Sequence, residues 1–200
     1  MKTLILAAIR CSLMFTAVTA APFSVRPAQA YSVTLEQVGS NVVANGSGAF
    51  NLTGLTFQFS ETASGVGVLP SEGEISTGPT GFVTLDIYTG FTGPTSFGSG
   101  SDSLANTGSG DLVDIQGEFG HLFVPHGYVS GAALSDSMTF NNQTFASLGL
   151  TPGTYVWTWG TGLENQNFTL VIGVPDGGST VSLLGCALLG LAAVRRKLGC

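Results

Sequence analysis

Along the middle of the chain, apolar residues recur at every second position, in short runs separated by Gly, Ser, Thr, Asn and Pro. YSVTLEQVG, from Tyr31, places Val33 and Leu35 on one face. GAFNLTGLTFQFS places Phe57 and Phe59 on one face of a strand. GFVTLDIYTG sets Val83, Leu85 and Ile87 against Thr84, Asp86 and Tyr88, and DLVDIQGEF sets Val113, Ile115 and Gly117 against Asp114 and Gln116. NFTLVIG, from Asn167, closes the series. A period of two in β-branched and aromatic residues between Gly-rich turns predicts strands. No stretch between residues 31 and 173 sustains a helical period over three turns; TFASLGL, Thr144 to Leu150, is the one short turn or helix expected there. Many short strands in one domain predict an all-β fold, an antiparallel sandwich or jelly roll. FTGPTSFGSGSDSLANTGSG, residues 91–110, is the longest low-complexity stretch and is expected to be a mobile surface loop. There is no internal repeat and no sign of a second domain.

The two ends follow other patterns. At the start, Lys2 and Arg10 precede an apolar run from Cys11 to Ala21, and two small-residue cleavage sites follow, Val18-Thr19-Ala20 and Ala28-Gln29-Ala30. That layout predicts a secretory signal peptide over residues 1–30, cut after Ala30, with Ala20 the alternative. Arg10 stands directly before Cys11, where a lipoprotein signal wants a small residue.

At the other end VPDGGST, Val174 to Thr180, leads into VSLLGCALLGLAAV, residues 181–194, and then into Arg195, Arg196 and Lys197. A helix over 181–194 would reach only ~21 Å at ~1.5 Å per residue. The hydrocarbon core is ~30 Å thick, so such a helix suits transient rather than permanent residence in a membrane. The basic cluster would stay on the cytoplasmic side. Gly177 and Gly178 favour a flexible, accessible peptide before the apolar run. An ordinary tail anchor is the alternative reading. The three parts in this order resemble the PEP-CTERM class of bacterial sorting signals, in the variant written VPDSG, with Gly177 standing where that variant has Ser. The resemblance implies that a membrane-embedded exosortase recognises Val174, Pro175, Asp176, Gly177, Gly178, Ser179 and Thr180, cleaves near them and discards the helix. ASLGLTPGTYVWTWG, followed by NFTLVIG and the motif, also resembles a segment of PEP-CTERM proteins of unknown function.

Composition sharpens the picture. All 6 basic residues lie in or beside the ends, at Lys2, Arg10, Arg26, Arg195, Arg196 and Lys197. Residues 31–173 therefore hold no Lys and no Arg, against acids from Glu36 to Glu164. Nucleic-acid binding needs cations against phosphate and is excluded on this count. Arginine clamping of phosphate or carboxylate ligands is excluded likewise. Cys11, Cys186 and Cys200 all lie outside 31–173, so that domain has neither a disulfide nor a Cys-based site.

Candidate chemistry is sparse. In GTYVWTWG, Tyr155, Trp157 and Trp159 share one face. They form either an aromatic platform for sugar rings or a core strand, and each ring buries ~150–250 Å² in the second case. Glu118, His121 and His126 lack convincing metal spacing. Gly98 to Leu104 partly matches one calcium-binding nonapeptide, but a single copy cannot stack. Weak calcium binding near Asp111 and Asp114 stays open. No G-x-S-x-G elbow is present, and paired carboxylates for glycoside hydrolysis depend on spatial separation.

The resulting expectation has three parts: a signal peptide (1–30), an extracellular β-sandwich domain (31–173) and a C-terminal sorting signal (174–200). The chain is expected to be secreted or held at the outer surface, after transient anchoring in the inner membrane. Its expected role is structural or adhesive, without catalysis or cofactor. The expected partners are signal peptidase and the general secretion machinery, an exosortase and exopolysaccharide. A carbohydrate-binding module and a secreted hydrolase are the rival readings.

Overall fold

A computed structural model describes residues 29–173, and the fold is all-β. The first sheet holds β1 (Ser32–Val38), β2 (Asn41–Gly48), β8 (Thr107–Gly110), β11 (Leu134–Phe140), β12 (Gly153–Thr158) and β13 (Asn167–Gly173), in the order β12-β13-β1-β2-β11-β8. The second sheet holds β3 (Thr56–Ala63), β4 (Gly67–Leu69), β5 (Glu74–Thr77), β6 (Val83–Thr89), β7 (Ser103–Leu104), β9 (Val113–Gln116) and β10 (His121–Pro125), in the order β3-β6-β10-β9-β5-β4-β7. The two form a sandwich-like fold. One feature departs from the antiparallel expectation: β13 lies parallel to β1, with Val33 opposite Leu170 and Leu35 opposite Ile172.

The first sheet follows the period-two reading closely. Val33, Leu35, Val42, Ala44, Met138, Phe168, Leu170 and Ile172 are buried on its inner face. Opposing residues on the second sheet are Val68, Ile75, Val113, Ile115, Leu122 and Val124, also buried. An aromatic cluster fills one part of the core. Trp157 meets Phe168 edge-on at 5.5 Å, and Phe50 stacks on Phe168 at 6.2 Å. A polar link crosses the sandwich: the Tyr31 hydroxyl donates to Asp136 Oδ2 at 2.5 Å and lies 3.3 Å from Thr77 Oγ1 on the other sheet. Gly46, opposite Asp136, makes room for it, because a Cβ there would lie 2.2 Å from Asp136 Oδ1.

Two expectations are corrected. Phe57 and Phe59 do not share a face. A β-bulge between them sets Phe57 opposite Tyr88 and Phe59 opposite Ile87, neighbours that point to opposite sides of the sheet. The stretch 91–110 is more than a surface loop: it carries β7 and β8, and Thr92 bridges Thr158. Phe97 is buried, and glycines let this stretch press on its neighbours, since a Cβ on Gly98 would lie 2.0 Å from Gly149 O. TFASLGL takes the turn form of the expected turn or helix, closed by Leu148 N–H donating to Thr144 O at 3.0 Å.

The ends of the described chain are woven into the first sheet. Ala30 bridges Ala49, whose N–H donates to Gln29 O at 2.8 Å. Cleavage after Ala30 would remove that acceptor, whereas cleavage after Ala20 would keep it. At the far end Gly173 is still paired, opposite Glu36.

The second sheet curls. Only Ser64 to Val66 join β3, on one edge, to β4, five strands away. In a flat sheet five spacings of ~4.8 Å separate those strands by ~24 Å. The four Cα steps from Ala63 to Gly67 cover at most ~14 Å. The edges must therefore bend toward each other. The curl explains why residues facing away from the first sheet, Leu85, Ile87, Phe123, Asp114 and Ser76, are buried as well.

Candidate functional site

The concave side of the curled sheet holds a cleft of about 170 Å³. Register builds its walls. Glu74 and Ser76 on β5 stand opposite Gln116 and Asp114 on β9. Phe123 on β10 is the next neighbour of Asp114. Glu61 reaches the cleft from β3 and Leu85 from β6, and Ser64 and Gly65 complete its lining.

Three carboxyl groups thus face one space without a cation among them. Burial pushes the Asp114 carboxyl well above its ordinary range, and the nearby charges of Glu74 and Glu61 add to the rise. The Gln116 amide offsets part of it by donating to Asp114 Oδ2 at 3.2 Å. Asp114 Oδ1 has no hydrogen-bond partner. Burial also raises Glu74, followed by the charges of Asp102 and Glu72. Among the described residues no three His, Cys, Asp or Glu side chains stand where they could hold one metal ion.

A second polar cluster centres on Asp86. It accepts from Ser60 Oγ at 2.6 Å, His126 Nδ1 at 2.7 Å and Gly127 N–H at 2.8 Å. Desolvation acts to raise its carboxyl, but the bonds from Ser60, His126 and Gly127 outweigh it and hold the group below its ordinary value. Serine, histidine and aspartate meet here in an order unlike a nucleophilic triad, where histidine must lie between the other two. Ser60 donates to the acid and not to the base.

The residues singled out in the sequence are dispersed. His121 lies on the face of β10 that carries Phe123, His126 belongs to the Asp86 cluster, and Glu118 sits in the β9–β10 turn. Asp111 Oδ2 accepts from Ser135 N–H at 2.9 Å and so ties β11 to the segment before β9. Tyr155, Trp157 and Trp159 form no solvent-facing platform. Trp157 is 0% exposed and Trp159 5%. Their indole N–H groups donate to Pro94 O and Asn51 O at 2.8 and 2.7 Å. Two buried indoles with satisfied donors are core, the other of the two readings.

Sequence reasoning missed the cleft. Asp114 and Gln116, or Glu74 and Ser76, alternate with apolar residues as a solvated face would. Only the pairing of β5 with β9 and the short link from β3 to β4 turn that face inward, and neither has a signature in composition.

The last element to position is the chain's exit. β13 is an inner strand, held by β12 on one side and β1 on the other, and it stays paired to Gly173. Residues 1–28 and 174–200 lie outside the described residues, and with them the sorting-motif residues, the basic cluster and the apolar segment. In sequence, residues 173–198 match the model of the VPDSG-CTERM motif. The chain carries a PEP-CTERM-like sorting signal. The VPDSG-CTERM signal marks an exported protein that transits the membrane and is processed by a sorting enzyme of the exosortase type. It begins where the domain's last strand ends, with no linker between them. No curated protein and no solved structure matches the chain.

Proposed function

We propose that this is an exosortase-processed surface or extracellular-matrix protein whose β domain has a non-catalytic, structural or adhesive role associated with exopolysaccharide. The observation that carries this reading is the direct junction of a paired inner strand with the sorting signal. Seven residues, 174–180, separate Gly173 from the apolar segment. They span at most ~25 Å when fully extended. The domain is therefore held against the membrane until the signal is cut, and removal of the signal releases it whole. A cut before Ile172 would strip residues from an inner strand, so processing belongs at or after Gly173. Signal peptidase and the general secretion machinery complete the route, and retention at the outer surface follows release.

Replacing Pro175 and Asp176 with Ala tests this in the native host. The reading expects the altered chain to accumulate in the inner-membrane fraction at full length, while the parent chain is found outside. Equal release of both chains would contradict it.

A further inference from the structure

We propose that the cleft of the curled sheet is a binding site for a neutral polyhydroxylated ligand, a sugar residue, held by Glu61, Glu74, Ser76, Asp114 and Gln116. The inference does not rest on the sorting signal; it concerns what the domain can hold wherever it is delivered.

Four observations lead to it. First, the cleft is a formed cavity of about 170 Å³, shaped by the curl and lined on one side by Ser64 and Gly65. Second, Asp114 is 7% exposed, yet its Oδ1 has no partner. An unsatisfied buried polar atom is costly, and folding alone gains nothing from it. Residues 31–173 contain no Lys or Arg that could neutralise the group. Third, the acids are set around the cavity and not gathered at a point. No three His, Cys, Asp or Glu of the described residues could share one ion. Acceptors spread around one cavity suit a ligand with several separated O–H groups. Fourth, Leu85 and Phe123 supply apolar wall against which the C–H face of a ring can lie.

The charge state of the walls selects among ligands. Burial favours the uncharged form of Asp114, which can then donate as well as accept. A carboxyl, a carboxamide and a hydroxyl side by side offer the mixed donors and acceptors that a polyol presents in return. An anion finds no cation here, and an ammonium group would need ionised partners on every side.

The test uses the full chain in detergent, titrated calorimetrically at neutral pH with D-glucose, D-galactose and D-mannose. Saturable binding of at least one hexose is expected. Asp114→Asn and Glu74→Gln should each weaken it tenfold or more. Asp114→Asn should leave thermal stability equal or higher, because it removes an unpaired buried carboxyl. Glu61→Gln, on the exposed β3, should weaken binding with the fold untouched. The proposal is overturned if the folded chain binds none of the three hexoses, or if all three variants bind as the parent does. It is also overturned if spermidine binds in their place with a salt-sensitive affinity, since the cleft would then take cations. A lower melting temperature in Asp114→Asn with hexose binding unchanged would make Asp114 a structural residue only.

Discussion

At the scale of single residues, two features of the interior have measurable consequences. Gly46 is confined by Asp136 Oδ1 and the Tyr31 hydroxyl, which would lie 2.2 and 2.4 Å from an added Cβ. Gly46→Ala should therefore destabilise the fold by roughly 1–3 kcal/mol, the usual range for overpacking, as read by urea denaturation. Asp136 is raised from its ordinary 3.8 to about 6 by burial, although Tyr31 and Thr77 pull it down. Between those two values the folded chain binds more protons than the unfolded chain, so stability falls as pH rises through the window. The loss from this group is about 3 kcal/mol, complete above its folded pKa. Asp114 is displaced in the same direction. Asp86, held low, acts oppositely and withdraws stability only as pH falls below the ordinary carboxylate range. Melting temperature should thus rise on acidification from pH 7 toward pH ~4.5, and Asp136→Asn should flatten part of that slope. A melting temperature that climbs from acid to neutral pH would contradict the assignment.

At the scale of elements, the segment before β7 and the strand β12 explain each other. Trp157 is buried because Gly93 and Pro94 lie over it; a Cβ on Gly93 would fall 2.4 Å from Trp157 Cδ1. Both indoles should emit at short wavelength and resist acrylamide quenching; emission near that of free indole would place them at the surface. Gly98→Ala should lift the segment from the Leu148–Gly149 backbone. Limited proteolysis followed by mass spectrometry should then show new cuts between residues 91 and 102, where the parent chain resists. These elements also show what a sequence can and cannot disclose. The strands through Val33, Leu35, Leu170 and Ile172 were legible because one face is core and the other solvent, which prints a clean period of two. The order of 91–102 was not, because its glycines serve close packing, and glycine alone does not distinguish contact from freedom. The cleft was hidden for a related reason: Asp114 and Glu74 occupy polar positions in alternating strands, and only the curl makes those positions interior. Phe57 and Phe59 show a third limit, since one inserted residue at the bulge reverses every face beyond it.

At the scale of the whole molecule, the domain and its sorting signal are one continuous design. A sandwich-like fold ends on an inner strand, and the VPDSG-CTERM signal follows without a spacer. On the proposed reading the strand survives processing, which would confine the cut to the short stretch between Gly173 and the apolar run. The absence of Lys and Arg between Arg26 and Arg195 leaves the β domain strongly acidic. Such a domain repels bare polyanions, and the partners it can hold are neutral or bridged by cations. The most direct test of this account is the mass of the mature C-terminus in the native host, with and without its exosortase. Trypsin has no site between Arg26 and Arg195, so a protease cutting at acidic residues is needed. The account predicts a C-terminus between Gly173 and Thr180 that moves to Cys200 when the enzyme is removed. Retention of Cys200 in both strains would show the tail to be a lasting anchor and would contradict the account.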